Sequence, residues 1–144
     1  MSGFASYPVA TTWLYATLTT SPIAGVSGVY EDAAPEETTA HSSIGIEFEA
    51  MAPGQDVAEV AEQRIWTEYA FLVRAITRGR DTIGLNAIVT EMDNRLHRAN
   101  GSTAGGQVIS STRSQEEQDH WVEQGVEYRA LGGIYNLIVQ RLIP

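Results

Sequence analysis

The 144-residue sequence contains no cysteine and no lysine. Without cysteine there can be no disulfide, no thiolate zinc site and no thiol nucleophile. Such a chain is compatible with a reducing compartment. Without lysine, all nine basic residues are arginines, and a glycine-rich phosphate loop of the lysine-bearing kind is excluded. Long apolar runs are also missing: none approaches the ~20 residues of a membrane-spanning helix. The opening stretch MSGFASYPVATTWLYATLTT has no basic start, and threonines interrupt its apolar residues, so it does not read as a secretory signal. We expect no membrane association.

What is present is an uneven charge. The formal net charge is −9, from 18 acids and nine arginines. Up to Gln63 the chain has nine acids and no arginine, and after it the two signs balance. Such a surface repels phosphate, which argues against sequence-specific nucleic-acid binding. It suits a surface that DNA passes without sticking. The apolar fraction of 43% is ordinary. No linker or repeat divides the chain, so we expect one domain over residues 1–144, able to bury roughly 68–70% of its unfolded surface.

Tyr7-Pro8-Val9 predicts a helix start with proline in the first turn. Val9, Trp13 and Ala16 follow on one face, with Leu14 and Leu18 beside it. Thr20-Ser21-Pro22 predicts its stop. Val26–Glu31 reads as a short strand and 32–36 as a turn. Ile44, Ile46 and Phe48 alternate with Gly45, Glu47 and Glu49, the period of a half-buried strand with acids outward. Residues 51–63 are ambiguous between a short helix and an excursion. Arg64–Thr77 is the clearest strand. Ile65, Tyr69, Phe71 and Val73 fill one face, and Trp66, Ala70, Leu72 and Ile76 fill the other, which predicts cover on both sides. A helix is expected over Thr82–Arg98, capped by Asp81 and ended by Asn100-Gly101. Gly105–Arg113 reads as a strand, Ser114–Gln124 as a polar loop, and Gly125–Leu142 as a strand with a bulge or close approach at Gly132-Gly133. The expected fold is α+β: a mostly antiparallel sheet with two helices packed on one face, in the order α-β-β-β-α-β-β.

Glu31, Asp32, Glu36, Glu37, Glu47 and Glu49 surround His41. They read as a solvated acidic surface rather than a metal site, because the strand acids and loop acids do not converge. Glu116-Glu117-Gln118-Asp119-His120-Trp121 lacks the two-histidine spacing of a zinc motif. Trp121 there either anchors a partner or packs on its own sheet. Asp93 and His97, four apart on a helix, fit an ion pair as well as a ligand pair. Residues 101–106 read as a flexible connector. No catalytic constellation is visible and no cofactor is expected. Arg74, Arg78, Arg80, Arg129 and Arg141 remain as groups suited to bidentate pairing with carboxylates.

GVYEDAAPEETTAHSSIGIEFEA, with its Tyr-x-Asp-x-x-Pro-like stretch between first helix and strand, resembles the tail-terminator and minor tail proteins of long-tailed bacteriophages. RIWTEYAFLVRAITRG, TIGLNAIVTEMDNRLHRANG and QVISSTRSQEEQDHWVEQGVEYRALGGIYNLIVQ resemble the later parts in the same order. The resemblance implies a non-enzymatic virion protein, assembled in the host cytoplasm. It implies a ring, usually of six subunits, at the head-proximal end of the tail. The ring would stop tail-tube polymerisation and face the head–neck connector, with DNA passing through its lumen. The partners implied are further copies of the chain, the tail-tube protein and the connector protein. On this reading the six acids line the lumen or a subunit seam, and Arg78, Arg80, Trp121 and Arg129 contact a neighbour. A neck or head-completion ring is the alternative. A metal-dependent enzyme using His41 or His120 is a remote one.

Overall fold

The computed structural model describes residues 2–31, 44–59, 65–78 and 82–141. In chain order the elements are α1 (Ser2–Thr19), β1 (Val26–Glu31), β2 (Ile44–Ala50), β3 (Gln55–Glu59), β4 (Ile65–Arg78), α2 (Thr82–Leu96), β5 (Ala99–Thr103), β6 (Gly106–Glu123) and β7 (Val126–Arg141). One seven-stranded sheet has the order β1-β2-β4-β7-β6-β5, with β3 pairing β4 beyond the end of β2.

The expected mostly antiparallel sheet with two helices on one face, in the order α-β-β-β-α-β-β, is not what forms. The sheet is mixed and curls into a half-barrel. β1 runs parallel to β2. A parallel pair requires a connection that returns to the same end of the sheet, which a tight hairpin turn cannot give. Two strands were not expected, so the order is α-β-β-β-β-α-β-β-β. Register shifts in β1, β3, β5 and twice in β6 add local twist, which favours curling. The helices sit in the hollow of that curl, α1 touching β1, β4, β5, β6 and β7.

Several expected boundaries also move. Ser114–Gln124 is not a loop but the far half of β6, paired to β7 up to Glu123↔Val126. Its polar composition hid a strand lying largely beyond the core. Gln124 (φ 51°) and Gly125 (φ 78°) close the hairpin, both left-handed as a tight two-residue turn requires. The presumed flexible connector at 101–106 is the β5–β6 hairpin. Pro8 lies inside α1 rather than in its first turn. Helix α2 ends at Leu96, where Arg98 (φ 61°) takes the left-handed conformation and donates its N–H to the Ser111 carbonyl at 2.7 Å.

The core follows from strand parity. Tyr69, Phe71, Val73 and Ala75 of β4 point inward with Ile44, Ile46 and Phe48 of β2 and Tyr135, Leu137 and Val139 of β7. Against them lie Val9, Ala10, Trp13, Leu14 and Leu18 of α1 and Leu85, Ile88, Met92 and Leu96 of α2. The buried stripe of α1 runs through Ala10, whereas Ala16 is exposed. Arg95 joins the two helices. Its Nη1 donates to the carbonyls of Thr17 (3.2 Å) and Leu18 (3.3 Å) while its Nε pairs with Glu91 at 2.9 Å. That satisfies carbonyls left open at the end of α1 and places a cation at its negative pole.

The other face of β4 carries Trp66, Ala70 and Leu72, all half-exposed, opposite Gln140, Asn136 and Ile134 of β7. No helix among the described residues lies on it. Near its far end Arg74 faces Gly132. A Cβ built on Gly132 would stand 2.1 Å from the Val73 carbonyl oxygen and 2.6 Å from the Arg74 Cα. The register between β4 and β7 runs on without a bulge there, so close approach is the reason for the glycine. Gly132→Ala should therefore cost about 1–3 kcal/mol, the range for overpacking. The check is the urea midpoint, and an unchanged midpoint would show that the strands can part at this point.

Candidate functional site

The acids singled out in the sequence have different fates. Glu31 is exposed and accepts a hydrogen bond from the Tyr7 hydroxyl at 3.1 Å. Glu49 is exposed on β2. Glu47 was expected to be solvated but is only 7% exposed. Asp32, Glu36, Glu37 and His41, with Arg80, lie outside the described residues. Among the described residues no group of three or more His, Asp or Glu is placed to hold a metal.

Glu47 is buried because Arg74 reaches it. The two are opposite each other across β2 and β4, and the Arg74 Nε donates to Glu47 Oε1 at 2.6 Å. Gly132, the next residue across the sheet, has no side chain, which leaves room for the guanidinium to extend toward β6. There Nη1 lies 3.8 Å from Asp119 Oδ2, and the guanidinium carbon sits 5.4 Å from the Trp121 ring centre. Trp121 stacks on Tyr128, with centroids 5.5 Å apart and planes at 13°. Arg78 then lies over Tyr128 at 5.8 Å. The result is a ladder across four strands: Glu47, Arg74, Trp121, Tyr128, Arg78. Each cation–aromatic contact is worth roughly 0.5–1 kcal/mol in a partly exposed setting.

Trp121 therefore packs on its own sheet. The sequence carried a signal for this that the loop reading concealed. Glu117, Asp119 and Trp121 alternate, and Tyr128 stands opposite Trp121 once the Gln124-Gly125 turn is recognised. Arg78 and Trp121 are thus brought together. Arg129 is not, because its neighbour Tyr128 shares the Arg78 face and adjacent strand residues point to opposite sides. Arg129 instead lines a groove of about 260 Å³ between the start of α2 and the β6–β7 hairpin, with Leu85, Asn86, Gln118 and Asp119 among its walls.

Asp93 and His97 turn out to fasten α2 to the sheet. Asp93 Oδ1 accepts from the Tyr135 hydroxyl at 2.8 Å, and Oδ2 pairs with Arg113 Nη1 at 3.2 Å. The backbone N–H of Arg113 donates to His97 Nδ1 at 3.0 Å. The Tyr135 phenol is held well above its ordinary value, first by burial and then by the hydrogen bond and negative charge of Asp93, with Arg113 opposing.

No family model matches the chain, and no curated protein matches it. A likeness among solved structures does exist. The fold is similar to that of a chain in the virion of a native gene transfer agent particle. The TM-score is 0.64 at 14% identity, over 95% of this chain and 98% of that one. At that identity the likeness is one of fold, nearly end to end. It does not select a family.

Two outcomes follow from the geometry. Arg74→Leu leaves Glu47 buried without its cation and should cost on the order of 2–3 kcal/mol. Adding Glu47→Gln should recover part of that loss, and strictly additive urea midpoints would show that the pair is not coupled. For Tyr135, the unfolded phenol ionises near pH ~10 while the folded one stays protonated. Its stabilising contribution is therefore complete below about pH 10 and falls as pH rises further. Tyr135→Phe should lose about 1 kcal/mol at neutral pH and show a shallower alkaline decline, measured by urea unfolding between about pH 8 and 11. An identical decline in both proteins would remove Tyr135 as its source.

Proposed function

We propose that the chain is a structural virion protein that closes into a ring at the head-proximal end of a phage tail. There it ends polymerisation of the tail tube and offers a face to the head–neck connector. The observation that carries this reading is the outer face of β4 and β7, which no element among the described residues covers. Trp66, Ala70, Leu72, Ile134 and Ile138 are half-exposed along it, although the longer side chains among them are of a kind usually buried. A second copy or a neighbouring virion protein supplies the missing cover. Heterologous contacts whose rotation closes give a ring.

Two further features support the reading. The similar fold in the gene transfer agent virion spans almost the whole of both chains. The net charge of −9 suits a passage through which DNA moves without being held. The role needs no chemistry. The subunit count implied by the family resemblance is six.

Size-exclusion chromatography with light scattering, followed by negative-stain imaging, tests this directly. The expected result is one closed oligomer, formed alone or on tail tubes. Leu72→Glu with Ile134→Glu, opposite each other on the outer face, should prevent it while leaving the thermal melt nearly unchanged. A monomer at every concentration, with and without tubes, would sink the proposal. Locating the chain in whole particles separates a tail-end ring from one in the neck.

A further inference from the structure

We infer that Arg78 and Arg129 form a two-sided clamp for carboxylates on the acidic half of a second copy of this chain. The inference rests on the ring reading and names its contact.

Most of the other described arginines have visible work. Arg74 pairs with Glu47, Arg95 with Glu91 and Arg113 with Asp93. Arg78 and Arg129 have no carboxylate partner among the described residues. The Nε of each is shut off from solvent and has no hydrogen-bond partner there. Arg78 makes one long contact, from Nη2 to the Tyr128 hydroxyl at 3.5 Å. Burying a guanidinium nitrogen without an acceptor is costly, and neither arginine has its charge matched by a carboxylate among the described residues.

The two side chains occupy one end of the sheet. Arg78 stands opposite Tyr128, and Arg129 stands opposite Thr77. Register therefore sends Arg78 to the outer face and Arg129 to the inner face, where it lines the groove beside α2. The Arg78 guanidinium carbon lies 5.8 Å from the Tyr128 ring centre, and the residue is only partly buried. A planar fork there suits a carboxylate, which accepts two parallel N–H bonds.

The chain carries matching groups elsewhere. Its first 63 residues hold nine acids and no arginine. Among the described ones, Glu31 and Glu49 are exposed. Glu31 ends β1, the edge strand of the sheet, and Glu49 lies on the adjacent β2. An acidic edge and an arginine-bearing end on one molecule make a heterologous contact, in which each copy gives one surface and receives the other. Opposite charge there sets orientation as well as strength.

Sedimentation velocity over a concentration series, on the full chain, tests the clamp. The proteins are wild type, Arg78→Glu/Arg129→Glu, and Arg78→Gln/Arg129→Gln in case the reversal fails to fold. Circular dichroism and the thermal melt report on folding. The expected result is that wild type assembles and the folded variants associate roughly tenfold to a hundredfold more weakly, as loss of charge-assisted contacts predicts. Folded variants that assemble as wild type does would overturn the clamp and leave the ring reading standing. A wild-type chain that stays monomeric at every concentration, with and without tail tubes, would overturn the clamp by removing its occupant, and would count against the ring reading itself.

Discussion

β4 needs cover on two faces, and the described chain provides it on one. Tyr69, Phe71, Val73 and Ala75 are shut away beneath the helices, while Trp66, Ala70 and Leu72 on the reverse remain half-exposed. Everything else is arranged around that strand. β2, β3 and β7 pair with it, α1 and α2 fill the curl behind it, and the arginine–aromatic ladder covers only the end nearest Arg78. Among the described residues nothing lies over the rest of that outer face.

Arginine does the joining in this structure, and its geometry explains why lysine is not needed. Arg95 ties α2 to the last carbonyls of α1, Arg113 ties β6 to α2, and Arg74 ties β4 to β2 and leans toward β6. Each spans two elements at once because a guanidinium presents donors in several directions within one rigid plane. A compact ammonium at the same position would hold one contact and release the other.

Much of this was legible in the sequence, for definite reasons. β4 was readable because its apolar residues alternate on both faces, and α2 because Leu85, Ile88, Met92 and Leu96 recur at helical spacing. β2 was readable from Ile44, Ile46 and Phe48. What failed was structure whose reason lies far away in the chain. The parallel pairing of β1 depends on the path between two strands, not on either strand's composition. The outer half of β6 meets water on much of both faces, so Glu116, Glu117 and Asp119 gave no period-two apolar signal. β3 is a short, mostly polar strand (Gln55–Glu59) in a stretch that read ambiguously as a short helix or an excursion. The buried state of Glu47 followed from Arg74, twenty-seven residues away, and the chain gives no local sign of it.

The pairing pattern has a consequence for how the molecule comes into being. β6 and β7 meet through a two-residue turn, so that hairpin can form early and locally. β4 and β7 join residues from 50 to 74 positions apart, as the Arg78–Tyr128 and Trp66–Gln140 contacts show. Closing a ladder across such separations is slow, because the intervening chain must first give up its freedom. The centre of the sheet is therefore among the last parts to lock. During synthesis β4 emerges well before β7, and it waits with two apolar faces and an open edge until its central partner arrives.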